Sequence, residues 1–186
     1  MKFERLRGLW PVMLVALFLS VSAIAKGVDE DDLDDEGRGI IENYGDMVEG
    51  DDINWVWIKP GVVLSDYRID VGEFENLSGA NDDDMLDELN EGFRKALAKL
   101  SSRKDRSGTL TTQNAVHWAE RGKPGKRWIP YAGHHLAQAG VGVEMVFRNS
   151  SGEIVAKVRH SAREGDDLED AAEEIVDDIV DWIQDN

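Results

Sequence analysis

The spacing of apolar side chains changes several times along this chain, and each change predicts an element. Residues 66–74 (DYRIDVGEF) put Tyr67, Ile69 and Val71 on one side and Arg68 and Asp70 on the other, the period of a half-buried strand. Between 81 and 100 the rhythm lengthens: Leu86, Leu89, Phe93, Leu97 and Leu100 recur at threes and fours, which is one stripe of a helix. Asn81 is placed to cap it, Asp82, Asp83 and Asp84 suit its positive end, and Lys99, Arg103 and Lys104 its negative end. Gly92 inside it is a mild cost. Residues 109–118 return to alternation, with Leu110, Thr112, Val116 and Trp118 on one parity. Two further alternating runs, 140–148 and 153–161, flank the short turn 149–152 and predict an antiparallel hairpin. In the first, Val141, Val143, Met145 and Phe147 share a face; in the second, Ile154, Ala156 and Val158 do. A second helix follows over 166–183, with Asp166 and Glu169 as a capping-box-like start and Leu168, Ala172, Ile175, Ile179, Trp182 and Ile183 as its buried stripe. Ahead of all these, residues 53–58 (INWVWI) read as an edge strand closed by Pro60-Gly61.

Strand, helix, strand, long loop, hairpin, helix is the pattern of an α/β (α+β) domain. Two amphipathic helices each need an apolar surface, and one sheet supplies it. The expected architecture is a two-layer sandwich, a mixed four- to five-stranded sheet with both helices on one face, no internal repeat and no second core.

The first 25 residues differ in kind. Lys2, Arg5 and Arg7 precede an apolar run from Leu9 to Leu19, which meets Ala23-Ile24-Ala25. This is the order of a secretory signal peptide, with cleavage expected between Ala25 and Lys26 and a periplasmic or secreted location for the product. The uncharged stretch 8–25 is near the lower length limit for a spanning helix, but Pro11 and the terminal A-x-A favour cleavage, which leaves no stable membrane anchor. The expected organisation is a signal peptide over 1–25, an acidic and mobile lead-in over 26–52, and a single domain over 53–186. There is no cysteine, so an oxidising compartment contributes no disulfide.

The formal charge is −17; residues 1–25 carry three basic side chains and one acidic, so the remainder stands at −19. Such a balance argues against nucleic acid and anionic lipid as partners, since both require a basic face.

Few motifs survive as candidates for chemistry. The histidines are His117, His134, His135 and His160, and their spacing dictates no convergence, so no metal site and no cofactor are expected. An EF-hand alignment that places Gly37 at the sixth position puts Asn43 where a bidentate Glu is needed. Gly140-Val141-Gly142 has no helix behind it and is not a phosphate cradle. No nucleophile elbow is present, so no catalytic residue is assigned. The alternative to a non-enzymatic reading is a hydrolase or metal- or ligand-binding protein using His134 or His135 with nearby carboxylates. The segment that stands out is 121–135. Arg121, Lys123, Lys126 and Arg127 fall within seven positions free of acid, and Trp128 and Tyr131 follow. Cations beside aromatics on a long loop match the composition of a contact surface. The plainer reading is internal neutralisation of helix acids, with Trp128 plugging the core edge.

From this loop onward the chain resembles a group of secreted bacterial envelope proteins and lipoproteins of the domain-of-unknown-function type. The likeness lies in Pro124-Gly125-Lys126-Arg127-Trp128, the Gly133 loop, the strand 141–147, Ser151-Gly152-Glu153-Ile154-Val155 and the terminal helix. Trp57-Ile58-Lys59-Pro60-Gly61, with Leu64-Ser65 and Tyr67, is similar to their opening. The resemblance implies a periplasmic domain without established catalysis, distantly similar to lipoprotein activators of cell-wall synthases; this chain lacks their lipid-bearing cysteine. The expectation is a non-enzymatic envelope module that meets an envelope protein or an anionic envelope polymer through residues 121–135. Nothing in the sequence indicates its oligomeric state.

Overall fold

A computed structural model describes residues 37–101, 107–123, 125 and 137–186. The strands are β1 (Trp55–Ile58), β2 (Tyr67–Asp70), β3 (Phe74–Asn76), β4 (Gly108–Glu120), β5 (Ala139–Arg148) and β6 (Ile154–Glu164); the helices are α1 (Asp83–Ser101) and α2 (Leu168–Asp185). They form one mixed sheet of order β1-β6-β5-β4-β2, with β3 continuing the β2 edge along β4. β1, β6, β5 and β4 pair antiparallel neighbour to neighbour, while β2 and β3 run parallel to β4. The expected α+β class holds. The sixth strand arises because the alternating run 66–74 is interrupted at Gly72, whose amide turns to the Thr112 hydroxyl (3.1 Å).

Both helices lie against one face. Leu89, Phe93 and Leu97 of α1 and Leu168, Ala172, Ile175, Ile179 and Ile183 of α2 join Leu110, Val116, Val141, Val143, Met145, Phe147, Ala156 and Val158 in one buried core. Gly92, which costs helix propensity, sits where the helices cross: a Cβ there would lie 3.0 Å from a Val176 methyl. Each helix starts one residue later in the run of acids than the spacing suggests. Asp82, not Asn81, accepts from the Met85 amide (3.0 Å), and Asp167, not Asp166, accepts from the Asp170 amide (3.1 Å). Neighbouring Asn and Asp are interchangeable as caps by chemistry, so the choice falls to the path of the preceding chain.

Two irregularities change which face a side chain reaches. The β4–β5 register slips between Val116 and Trp118, and the β5–β6 register slips between Phe147 and Arg148, opposite Val155. Because side-chain direction alternates with a period of two, one extra residue turns everything beyond it over. Trp118 and Ile154, which alternation places with the core-facing residues, therefore point to the sheet's other face.

That face carries a second apolar cluster, contrary to the expectation of a single core. Ile41, Tyr44 and Met47 pack on Val146, with Ile40, Trp55, Trp57 and Ile154 around them. Residues 37–48 thus form a strap across the sheet, where an acidic and mobile lead-in was expected. The strap also closes an edge, since Val48 and Val56 exchange both backbone hydrogen bonds (2.9 and 2.8 Å) outside β1. Residues 26–36 of the expected lead-in, and the expected signal peptide, lie outside the described residues.

The acids of the helix pair make stability depend on pH in a definite sense. Burial, then Glu173 and Glu169 of α2, hold Glu88 of α1 above the ordinary glutamate value of 4.5. Burial and then Asp178 do the same to Glu174, with Glu164, Asp177 and Glu173 adding to it. A raised folded value means that this contribution is complete below 4.5 and is lost as pH rises through the raised value. Glu120 acts in the opposite sense: hydrogen bonds from Lys123 and Arg163 lower it, so its contribution is lost on acidification. Glu88→Gln is expected to raise the melting temperature at pH 7 by a few degrees and to leave it unchanged near pH 4. Melting curves of parent and variant at both values check this, and an equal effect at the two would contradict it.

Candidate functional site

The segment singled out by composition leaves the sheet at the end of β4 and returns at β5. Its base is narrow. A Cβ on Gly122 would lie 2.4 Å from the Ala137 carbonyl oxygen, 2.9 Å from that of Asp166 and 3.0 Å from the Ala139 amide nitrogen. All three are backbone atoms, so only glycine permits this approach, and the two ends of the segment are held together there. Ala137 on the return side is fully buried.

The two described cations of the predicted set stand at this base. Arg121 donates to Asp82 Oδ2, while Asp82 Oδ1 caps α1. Lys123 donates to Glu120 (2.9 Å), which also accepts from Arg163 (3.2 Å). Arg121 thus pairs with the cap of α1 and Lys123 with an acid of β4 rather than of a helix, and their side chains stay 66% and 52% exposed. The Lys123–Glu120 pair is exposed on both sides, a kind that contributes ~0–1 kcal/mol, whereas the Asp82 carboxylate under Arg121 is only 11% exposed. Lys126, Arg127, Trp128 and Tyr131, together with His134 and His135 of the alternative reading, lie outside the described residues.

Beside this base is an aromatic ledge that the sequence reading did not assign. Trp118 lies over Gly140, where a Cβ would come within 2.4 Å of its ring, and the Arg163 guanidinium stacks 4.5 Å from the ring centroid. The His117 ring covers Gly142 in the same way, with a Cβ position 2.7 Å away. The G-x-G of β5 is thus a slot for two rings on one face of the sheet. Its signal was visible as glycines alternating with valines, but the bulge that delivers the rings was not.

The buried ionisable side chains serve the fold. Glu144, fully buried, accepts from the Ile41 amide (2.8 Å), the Tyr44 hydroxyl (2.6 Å) and Arg159 (2.7 Å). Arg159 also donates to the Gly37 carbonyl (3.0 Å) and lies over the Tyr44 ring. Burial, and then the Glu144 bond, hold the Tyr44 phenol above its ordinary value, so it stays protonated and donates. Lys157 donates to the Asn43 carbonyl (2.7 Å) and to Asp46, and lies over Trp57. On the helix side, His160 Nε2 is 2.8 Å from Asp178 and its Nδ1 is 3.0 Å from Asn54. Asp178 in turn borders an open cleft of about 590 Å³ that Glu49, Asp51, Asp52, Asp181 and Asp185 make strongly acidic. Among the described residues, no group of three or more histidines and carboxylates is arranged to hold a metal, and no helix is long and apolar enough to cross a membrane.

No family model and no curated protein matches the chain. Among solved structures it is similar to the PelC dodecamer from Paraburkholderia phytofirmans, at 16% identity and a TM-score of 0.43, and to a point variant of that dodecamer, at 13% and 0.45. Each comparison covers 69% of this chain and 94% of the other. At this identity and overlap the likeness is one of chain course, and it assigns no activity.

Proposed function

We propose that this chain is an exported, non-enzymatic interaction module of the cell envelope that meets an anionic partner through residues 121–135. The partner is an envelope protein or an anionic envelope polymer. One observation carries the reading: the clamp at Gly122, Ala137 and Asp166, which brings together the two ends of a segment whose sequence holds four cations and no acid within seven positions. A basic patch on a body of strongly negative charge is a polar surface that orients an anionic partner toward one site. The non-enzymatic part is supported by the use of Glu144, Arg159, Lys157 and His160, whose hydrogen bonds hold the strap and α2 in place.

The test is retention on an immobilised polyanion, polyglutamate, at low salt. Despite its net charge the protein is expected to be retained and to elute as salt rises toward physiological strength. Replacing Arg121, Lys123, Lys126 and Arg127 together by Ser should abolish retention while leaving the melting temperature within a few degrees. Retention that the fourfold variant keeps, or no retention by the parent, would overturn the reading.

A further inference from the structure

The two edges of the sheet are treated differently. β1 is closed by the strap through the paired Val48–Val56 hydrogen bonds, whereas β2 ends the strand order with no strand beyond it among the described residues. The sequence of β2 and its next residue, Tyr67-Arg68-Ile69-Asp70-Val71, is self-complementary about its centre. Arg68 and Asp70 project from one face, where they already reach each other (2.8 Å) while remaining 62% and 48% exposed. Tyr67, Ile69 and Val71 occupy the helix-side face.

We propose that β2 pairs with β2 of a second copy, antiparallel about a two-fold axis through Ile69, to form a dimer with a continuous sheet. In that register Arg68 stands opposite Asp70 of the second copy, and Asp70 opposite its Arg68. Directly opposed residues of antiparallel strands approach closely enough for each of these to be an ion pair. The exposed pair within each chain, worth little, is thereby exchanged one for one for a pair across the interface. On the other face Ile69 meets its counterpart, and Tyr67 falls opposite Val71. Val71 borders a surface groove of about 420 Å³ lined also by Arg94 and Ala98, with room for that ring. Charged side chains on an edge strand usually repel further strands. Here opposite signs flank the centre, so the edge repels strands of most other sequences and accepts its own. The arrangement is isologous, as two-fold dimers require.

Sedimentation velocity over a concentration series decides the matter. The purified protein should show a concentration-dependent monomer–dimer equilibrium. Arg68→Asp makes the edge wholly acidic and Asp70→Arg makes it wholly basic, so each variant alone should associate about tenfold more weakly or less. An equimolar mixture of the two should recover the parent dimer, because each edge then meets its opposite. Both substitutions are on exposed side chains, and an unchanged melting temperature confirms that folding is intact. A parent that stays monomeric, a single variant that dimerises as the parent does, or a mixture that fails to associate would overturn the proposal. The first outcome, combined with binding of a foreign extended peptide at this edge, would assign the edge to another protein.

Discussion

Glu144→Ala is expected to destabilise the protein by about 3–5 kcal/mol, the range for stranding one partner of a buried ion pair. Glu144 is fully buried and Arg159 is 2% exposed, so water cannot replace the lost carboxylate. Three donors lose their acceptor at once: the Ile41 amide, the Tyr44 hydroxyl and the Arg159 guanidinium. Taking both charges away is different in kind. Replacing Glu144 by Leu together with Arg159 by Met leaves no orphaned charge, and such exchanges are often neutral. Most of the loss should be recovered, apart from the strap amide and phenol left without a partner. Urea unfolding of parent, single and double variants measures all three. A loss below about 1 kcal/mol for Glu144→Ala would mean that the carboxylate is solvated and the strap is not fastened.

The second large effect belongs to the helix-side core. Phe147→Ala is expected to cost about 3–5 kcal/mol, the usual range for emptying an aromatic site in a packed core. Phe147 is fully buried near the end of β5, opposite Ala156, and its ring centroid is 6.4 Å from that of Trp182 at a tilt of 58°. Ala156 is too small to fill the space, and Trp182 is held on α2, so the site relaxes only in part. The same denaturant series should show a lower midpoint with an unchanged slope. A slope that falls with the midpoint would show the two faces of the sheet unfolding separately.

The helix-side layer was legible because its segments are long and periodic. Leu86, Leu89, Phe93 and Leu97, spaced by three and four, can share a face only in a helix, and the hairpin follows from two alternating runs around Asn149 and Gly152. The second face was not legible, for three reasons. A bulge is a single inserted residue and leaves no compositional mark, yet it moved Trp118 and Ile154 across the sheet. The strap's apolar residues, Ile41, Tyr44 and Met47, do recur at threes, but surrounding acids make the segment read as solvent-borne. Glu144 is one polar residue in an apolar strand, and that it is covered follows only from Arg159 standing opposite it on β6. The candidate site divides in the same way. Its cations were visible as a run, whereas the Gly122 clamp and the Trp118–Arg163 stack depend on residues brought together by the β4–β5–β6 register.

The histidines illustrate why composition alone decides little. His117 and His160 are both buried, one laid over Gly142 and the other set between Asn54 and Asp178. His160 is accounted for by its hydrogen bonds to Asn54 and Asp178, which is how polar groups persist in a protein interior, and His117 packs its ring on the Gly142 backbone.

Amide hydrogen exchange at Ile41 tests the account most directly, because that single N–H donates to Glu144 and so reports whether the strap is part of the folded body. Protection approaching that of the central strand β5 is expected, abolished by Glu144→Ala before the rest of the sheet opens. Exchange at the rate of an unstructured chain in the parent protein would contradict it.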